Sequence, residues 1–385
     1  MGVDVIVVGG GIIGCSAALA LGRRGVQVHL LESADRLLDG VSSAGFGSLT
    51  PFSDPFFRGA ARDFAARAVE IYRHHWIPTL VKGTGISIDV GDAGLLDLLK
   101  DDTAVARGQV LQRELASAGY PARLITKEEA ISLEPELAGS FSAALWLDEP
   151  WIDPNQYFRA LLSALGAIDT VSVVSGATVR EMDEHDSSRV AVYYECSAGI
   201  QHLTADFVVY CTGLTSLEVG GAALPTLRWI RGDAVLVVQP EGRQLFERHV
   251  YREAAFMTPR RDGRLLLGST YDEEKESVDA LGSRNRDRIS ARHALHLLKA
   301  NSEVVPAVLD CDVVSTWRGW RPTSRDGLPI LGTLHNDSVV VATGFIGLGI
   351  TMAPAVAEAI AAYVCDRDRS LIPMEFDPLR QSVSI

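Results

Sequence analysis

The 385-residue sequence predicts an α/β protein, a Rossmann-type dinucleotide-binding domain interrupted by an inserted antiparallel-sheet α+β domain. Three observations predict it. An apolar run, Val3–Val8, enters Gly9-Gly10-Gly11-Ile12-Ile13-Gly14 and then a helical stretch. Two later apolar runs, Ala205–Cys211 and Val339–Ala342, end in Thr212-Gly213 and Thr343-Gly344, like strands that stop at a ligand. Between them, from Arg228 to Ser269, short runs follow one another at hairpin spacing.

Each element has its reason. Val3–Val8 reads as a parallel strand covered on both faces. A helix follows from about Cys15 to Arg24 and ends at Gly25. Val26–Leu31 returns as a strand closing on Glu32, which completes one βαβ unit. Arg58–Lys82 reads as helix, Ile86–Leu99 as a hairpin, Thr103–Ala118 as helix, Leu145–Trp151 as extended and Asn155–Leu165 as helix. Val171–Glu195 reads as strands with a turn at Asp183–Ser188. Ala234–Val238, Ala255–Thr258 and Leu265–Gly268 form the antiparallel region. Asp287–Ala300 is helical, and a long helix starts near Gly349. The tail after Pro373 is expected to be loosely attached. The nucleotide domain is then residues 1–85, 145–226 and 316–385, and the substrate domain 86–144 and 227–315.

Composition narrows the partners. With 36 basic and 49 acidic residues the net charge is −13, so counterion release favours no nucleic acid. The five cysteines are scattered and show no CxxC spacing, as in a reduced, cytoplasmic protein. His293 with His296, and His74 with His75, lack a matching thiol or carboxylate set, so no metal is expected and a surface helix is the reading of the first pair. Val3–Leu21 and Gly344–Val364 are long and apolar, but glycine turns, Asp4, Pro354 and Glu358 mark them as buried strand–turn–helix units, so no membrane partner is expected, a spanning segment being the minor alternative. The amino-terminus lacks the basic flank and cleavage site of a signal peptide.

The spacing Gly9-x-Gly11-x-x-Gly14 between a strand and a helix is a dinucleotide fingerprint. Gly9 permits the tight turn, Gly11 the approach of backbone to pyrophosphate, and Gly14 close packing of helix on strand. Amides of Ile12 and Ile13 at the helix start offer donors to phosphate. Glu32, about 20 residues on, is placed to bind ribose hydroxyls, with Ser33 beside it. The carboxylate disfavours a 2′-phosphate. The fingerprint leaves NAD and FAD open, and a tight turn without ligand is the bland alternative.

Three further blocks carry a resemblance: Ser42-Ser43-Ala44-Gly45-Phe46-Gly47, Phe207–Gly213 reading FVVYCTG, and RPTSRDGLPILG from Arg321 with GFIGLGITMAP from Gly344. Together with Leu133-Glu134-Pro135 they are similar, over nearly the whole chain and in order, to the D-amino-acid oxidase superfamily, above all glycine oxidases and related sarcosine oxidases. The resemblance implies FAD, hence a FAD-binding domain of the DAO type. It implies that Ser42, Ser43, Ala44, Phe46 and Gly47 line the flavin, that Val179 lies by the adenine, and that Thr212 and Gly213 border the nucleotide. It sets Gly344, Ile346, Gly347, Leu348, Gly349 and Ile350 beside the flavin's pyrimidine edge, where a helix N-terminus stabilises the negative charge of reduced flavin. Sarcosine oxidases tether FAD through a cysteine where this chain has Gly319, so the FAD here is expected to be non-covalent.

In the resemblance Arg321 matches the arginine that holds the substrate carboxylate, next to the flavin. Its planar fork suits that task; a structural pair with Asp326 is the alternative. Phe256 stands where a tyrosine often assists, Gly347 where some glycine oxidases have a second arginine, and Tyr271 replaces an apolar neighbour. Tyr251 and Arg252 are candidates for a second polar contact, or plain sheet residues. These departures point to an N-substituted glycine or another secondary amino acid. Three activities stand side by side: an oxidase reducing O2 to H2O2, a dehydrogenase passing electrons to a quinone or partner protein, and a non-catalytic flavin-binding subunit. The sequence leaves the oligomeric state open.

Overall fold

The computed structural model describes residues 4–54, 58–186, 189–213, 218–219, 222–223, 227–241, 244–274, 288–334 and 336–382. Asp4–Val8 lies at the centre of a parallel sheet, between Gln27–Glu32 and Phe207–Tyr210. Val171–Ser175 extends it on one side and Val339–Thr343 on the other, and Ile330–Thr333 closes that edge antiparallel, giving six strands. The central run is apolar throughout because both faces are covered. Val5 and Val7 pack with the helices Ile12–Arg23 and Gly349–Asp366. Ile6 and Val8 pack with a three-stranded sheet formed by Thr178–Asp186, Arg189–Cys196 and Gly199–Ala205. Gly349–Asp366 is long and apolar enough to cross a membrane by length and composition, but 72% of it is buried inside the protein.

The second sheet, antiparallel except where His249–Arg252 runs parallel to Leu95–Leu99, has nine strands among the described residues. Its spine is Arg228–Val238, which pairs with Asp312–Thr323 along its whole length and with Arg264–Gly268 and Asp272–Glu274 on its other edge. Ala255–Pro259, His249–Arg252, Leu95–Leu99, Ala143–Leu147 and Ala122–Thr126 continue it. Boundaries at 145 and 316 therefore cut strands of this sheet, Ala143–Leu147 and Asp312–Thr323.

Three local readings need correction, and one expected helix is refined. Ile86–Leu99 is no hairpin: Val90–Gly91 pairs with Trp151–Ile152, and Leu95–Leu99 is a central strand between Ala143–Leu147 and His249–Tyr251. Leu95, Leu96, Leu98 and Leu99 are all buried, so that strand is covered on both faces and cannot be a half-exposed hairpin arm. The helix from Ala60 to Thr84 widens into a π turn at Tyr72–Trp76; Pro78 has no N–H to continue the ladder there. The tail is docked: Phe376 is buried edge-on to Phe64, and Arg380 pairs with Asp326 at 2.9 Å. The helix carrying His293 begins at Ala291, capped by Ser290, and His293 turns inward, its Nδ1 2.6 Å from buried Asp233. Residue 287, where that helix was expected to start, and residues 187–188 of the expected turn lie outside the described residues.

Candidate active site

The glycine fingerprint forms one wall of a cleft of about 1030 Å³. Gly9 has φ +104°, and a Cβ there would sit 2.6 Å from the Cys211 carbonyl oxygen. At Gly14 a Cβ would lie 1.9 Å from the carbonyl oxygen of Gly9, so the helix reaches the strand only because both residues are glycine. Gly11 differs: its missing Cβ would meet only Ser42 Oγ, at 3.4 Å, and the rest of that space belongs to the cleft. The first amides of an α-helix have no intrahelical acceptor. Here Ile12 N–H donates to Ser42 Oγ at 2.9 Å, and Gly11 and Ile13 line the cleft. Glu32 is fixed by the amides of Gly10 at 2.6 Å and Ala34 at 2.7 Å, with Ser33 Oγ at 3.1 Å. Ser33, Val179, Thr212, Gly213, Gly344, Ile346 and Gly349 complete the expected wall. A helix start at Gly11 and Ile13 on the cleft wall, a side-chain-free approach at Gly11 and a carboxylate beyond it fit a dinucleotide.

A second cavity of about 450 Å³ shares Ile12, Val41, Ser42, Ile346 and Gly349 with the cleft. Ala44, Phe46, Gly47, Gly347, Leu348 and Ile350 line it, on the side where the resemblance puts the flavin ring. Ile346 holds a left-handed φ of +47° and its amide donates to Pro322 O at 2.9 Å. That bond fixes the entry to the helix Gly349–Asp366, whose first residue lies against Ile12. The starts of the two buried helices thus meet where cleft and cavity join, and their dipoles add for an anionic group held there.

Arg321 projects into this cavity from the long strand Asp312–Thr323. Its Nη2 donates to Ser269 Oγ at 2.6 Å and its Nη1 to the Thr270 carbonyl at 3.3 Å, and its guanidinium lies 5.8 Å from the Tyr271 ring centre. Gly232 is the floor beneath it. Among the described residues Arg321 has no carboxylate within ion-pair distance; Asp326, the alternative partner, is taken by Arg380 and Ser324. Burial pushes the Arg321 pKa below its ordinary value, and a desolvated cation of this kind is favoured by an anionic ligand. Behind the strand, buried Asp233 accepts from Arg318 Nε at 2.9 Å and from His293. Burial works against its ionisation, but these bonds outweigh burial and hold the carboxyl below its usual range.

Tyr251, Phe256, Tyr271 and Gly347 all line the cavity with Arg321. Burial and the nearby carboxylates of Asp97, Asp54 and Glu253 push the Tyr251 hydroxyl's pKa up. Asp54 and Glu253 line the same cavity, so it has a cationic side and an acidic side. Three expected residues fall elsewhere. Arg252 points off the cavity toward Gly139, because alternate residues of a strand face opposite ways. Ser43 is exposed, its hydroxyl donating to Gly40 O at 2.8 Å. Gly14 packs helix on strand and lines neither space. Sequence reasoning missed Ser48, Thr50, Asp54, Glu253 and Trp317 in the cavity, and Arg288 at the cleft. Trp317 Nε1 donates to Ala44 O at 3.1 Å, and its spacing of four from Arg321 on a strand was a usable signal. At Gly319 a Cβ would sit 2.8 Å from Ala44 Cβ.

The family model of FAD-dependent oxidoreductases (DAO) matches residues 4–363. The glycine oxidase of Geobacillus kaustophilus is 27% identical over 384 residues, covering 94% of this chain and 92% of that protein. The bifunctional protein ThiO/ThiG of Trichormus variabilis is 26% identical over 366 residues, covering 94% of this chain and 53% of its own length, so this chain spans about half of it. The crystal structure of the Geobacillus kaustophilus glycine oxidase superimposes with a TM-score of 0.87 at 24% identity, over 98% of both chains. That of L-proline dehydrogenase from P. horikoshii gives 0.81 at 22% identity, over 99% of this chain and 98% of the other. These superpositions speak to the fold; the match along nearly the whole sequence speaks to descent, and this chain belongs to the DAO family of FAD-dependent oxidoreductases.

Proposed function

We propose that the protein oxidises the C–N bond of a glycine-type or N-substituted glycine amino acid, giving an imine that water hydrolyses to an oxo acid and an amine, with O2 reduced to H2O2. The observation that carries the reading is Arg321: a desolvated guanidinium, held by Ser269 and Thr270, in a cavity that opens into the dinucleotide cleft. The similarity to proteins named glycine oxidase supports the substrate class. FAD held non-covalently along Gly11, Ile13, Glu32 and Val179 would supply the acceptor for the electron pair leaving the substrate's α-carbon.

The chain's part is to bind and orient. Two of the Arg321 N–H groups are engaged by the protein, which leaves the remainder of its five donors for a carboxylate. Anchoring the acid group fixes the neighbouring carbon with respect to the ring face. Phe46, Phe256 and Trp317 form an aromatic wall that excludes water, with ring centroids of Phe46 at 6.1 Å from Phe256 and 5.8 Å from Trp317. Phe256 brings no hydrogen-bond donor and Gly347 no second cation, so the space beside Arg321 suits an N-alkyl group. We place the protein in the reducing cytoplasm; no disulfide joins two cysteines among the described residues.

The test is an aerobic panel of glycine, sarcosine, N-ethylglycine and L-proline with peroxide detection, repeated with an artificial dye acceptor. Amine-dependent peroxide supports the oxidase. Dye reduction without oxygen uptake redirects the reading to a dehydrogenase, and a flavin that none of these amines bleaches overturns it.

A further inference from the structure

We propose that Ser48 is a specificity-determining residue that accepts a hydrogen bond from the substrate's amine, its hydroxyl being turned to that duty by a relay through Thr258 to His249. The inference rests on the C–N oxidoreductase reading and names what recognises the nitrogen end of the substrate.

Ser48 lines the cavity that holds Arg321. Its Oγ is 3.1 Å from Thr258 Oγ1, and Thr258 Oγ1 is 3.1 Å from His249 Nδ1. The strand register pairs Tyr251 with Phe256, which sets His249 opposite Thr258 on the same sheet face. Tyr251 and Phe256 reach the cavity; Thr258 and His249 are fully buried behind them, and the imidazole stacks on Phe256 at 5.7 Å.

Donor and acceptor roles along this chain follow from accounting. Burial, with a smaller push from Arg260 and against a contact with Pro150, takes the His249 pKa down to about 3. The ring is therefore neutral and carries one proton. Nδ1 is taken by Thr258, so we assign the weak contact with the Pro150 backbone carbonyl to Nε2, which makes no full hydrogen bond among the described residues. A proton on Nε2 meets that carbonyl; a lone pair there would face another lone pair in a dry site. The proton sits on Nε2, and Nδ1 accepts. Thr258 then donates to Nδ1, Ser48 donates to Thr258, and the Ser48 oxygen has only lone pairs left for the cavity. It repels a carboxylate and accepts an N–H. Arg321 takes the acid end of the ligand and Ser48 the amine end, with Asp54 and Glu253 adding negative potential around the cavity. A histidine so hard to protonate is no proton acceptor for the reaction, so the relay orients rather than titrates.

The experiment titrates the holoenzyme calorimetrically with 2-aminoisobutyrate and with pivalate, which differ by an ammonium in place of a methyl. Neither has an α-hydrogen, so neither is oxidised. In Ser48→Ala the preference for 2-aminoisobutyrate over pivalate is expected to fall about tenfold, the worth of a hydrogen bond to a charged group, with the pivalate Kd unchanged. Thr258→Val, nearly isosteric, frees the Ser48 hydroxyl to rotate and should lower the preference severalfold. Arg321→Ala should weaken both ligands together. An unchanged preference in Ser48→Ala, or an equal loss for both ligands, overturns the relay and leaves the carboxylate reading standing. A wild type that binds neither ligand overturns both.

Discussion

Gly232→Ala separates substrate orientation from folding. Gly232 pairs with Gly319 across the two long strands, and the Arg321 guanidinium lies over it. A methyl there would sit 2.4 Å from Nη2 and 2.5 Å from Nη1, whereas ordinary van der Waals contact begins at 3.4 Å. The guanidinium must withdraw by the difference, 3.4 − 2.4 = 1.0 Å, and cannot keep both its 2.6 Å bond to Ser269 and its 3.3 Å bond to Thr270. A displacement of about 1 Å at an orienting group costs on the order of 10²-fold in rate. Folding should change little, because Gly232 has no positive φ and an alanine there reduces unfolded-chain entropy, a gain of about 0.4–1 kcal/mol against the local strain. The assay is steady-state kinetics with the best amine of the panel, alongside flavin content, Tm and the acetate Kd from the flavin spectrum. The expected pattern is full flavin, a Tm near wild type, and loss of kcat/KM and acetate affinity together. Normal kcat/KM in a flavin-loaded Gly232→Ala protein would refute the placement of Arg321 as the substrate's clamp.

Arg321→Ala should retain FAD and lose about 2–4 kcal/mol of affinity for carboxylated ligands, roughly 30- to 900-fold, measured by the same acetate titration. Gly14→Ala puts a Cβ 1.9 Å from the Gly9 carbonyl oxygen, so it should purify with little flavin, read as the ratio of 450 to 280 nm absorbance. Acid precipitation of the wild type should leave all the yellow colour in the supernatant; colour in the pellet would contradict non-covalent attachment. Glu149 is fully buried and accepts from the amides of Phe52 and Ser53, and burial pushes its pKa up to about 8, Asp54 adding to the rise and the two amides opposing it. The folded state thus holds a proton that the unfolded chain releases above about 4.5, and stability falls as pH rises from there to about 8. Glu149→Gln keeps an acceptor for both amides and removes the ionisation, so its Tm should gain on wild type steadily across that window, and a constant offset would count against the shifted carboxyl.

The parallel sheet was legible because its strands are unbroken apolar runs that end in glycine turns, and the fingerprint declared its own ligand wall. Arg321 was legible through resemblance. What escaped depends on contacts that sequence does not order. Ser48, Thr258 and His249 are unremarkable apart; only the register of Tyr251 with Phe256 brings the last two together. Gly232 and Gly268 read as weak points in strands, yet each vacates space for a side chain from elsewhere, the first for Arg321 and the second for the Phe46 ring. Arg252 misled because its strand was evident and the face it shows was not. Ile86–Leu99 misled because it alternates and turns like a hairpin while its two strands pair elsewhere, Val90–Gly91 with Trp151–Ile152 and Leu95–Leu99 with Ala143–Leu147 and His249–Tyr251.

The docked tail joins Arg380 to the strand end that carries Arg321. Arg380 grips Asp326 and the Leu328 carbonyl, and Asp326 ties down Ser324, three residues past Arg321. A reporter or affinity handle fused at this end pulls on a tether whose other attachment is the turn that aims the guanidinium. Tagged and untagged preparations would then differ in apparent substrate preference although the same residues line their pockets, and the untagged protein is the proper reference for every titration above.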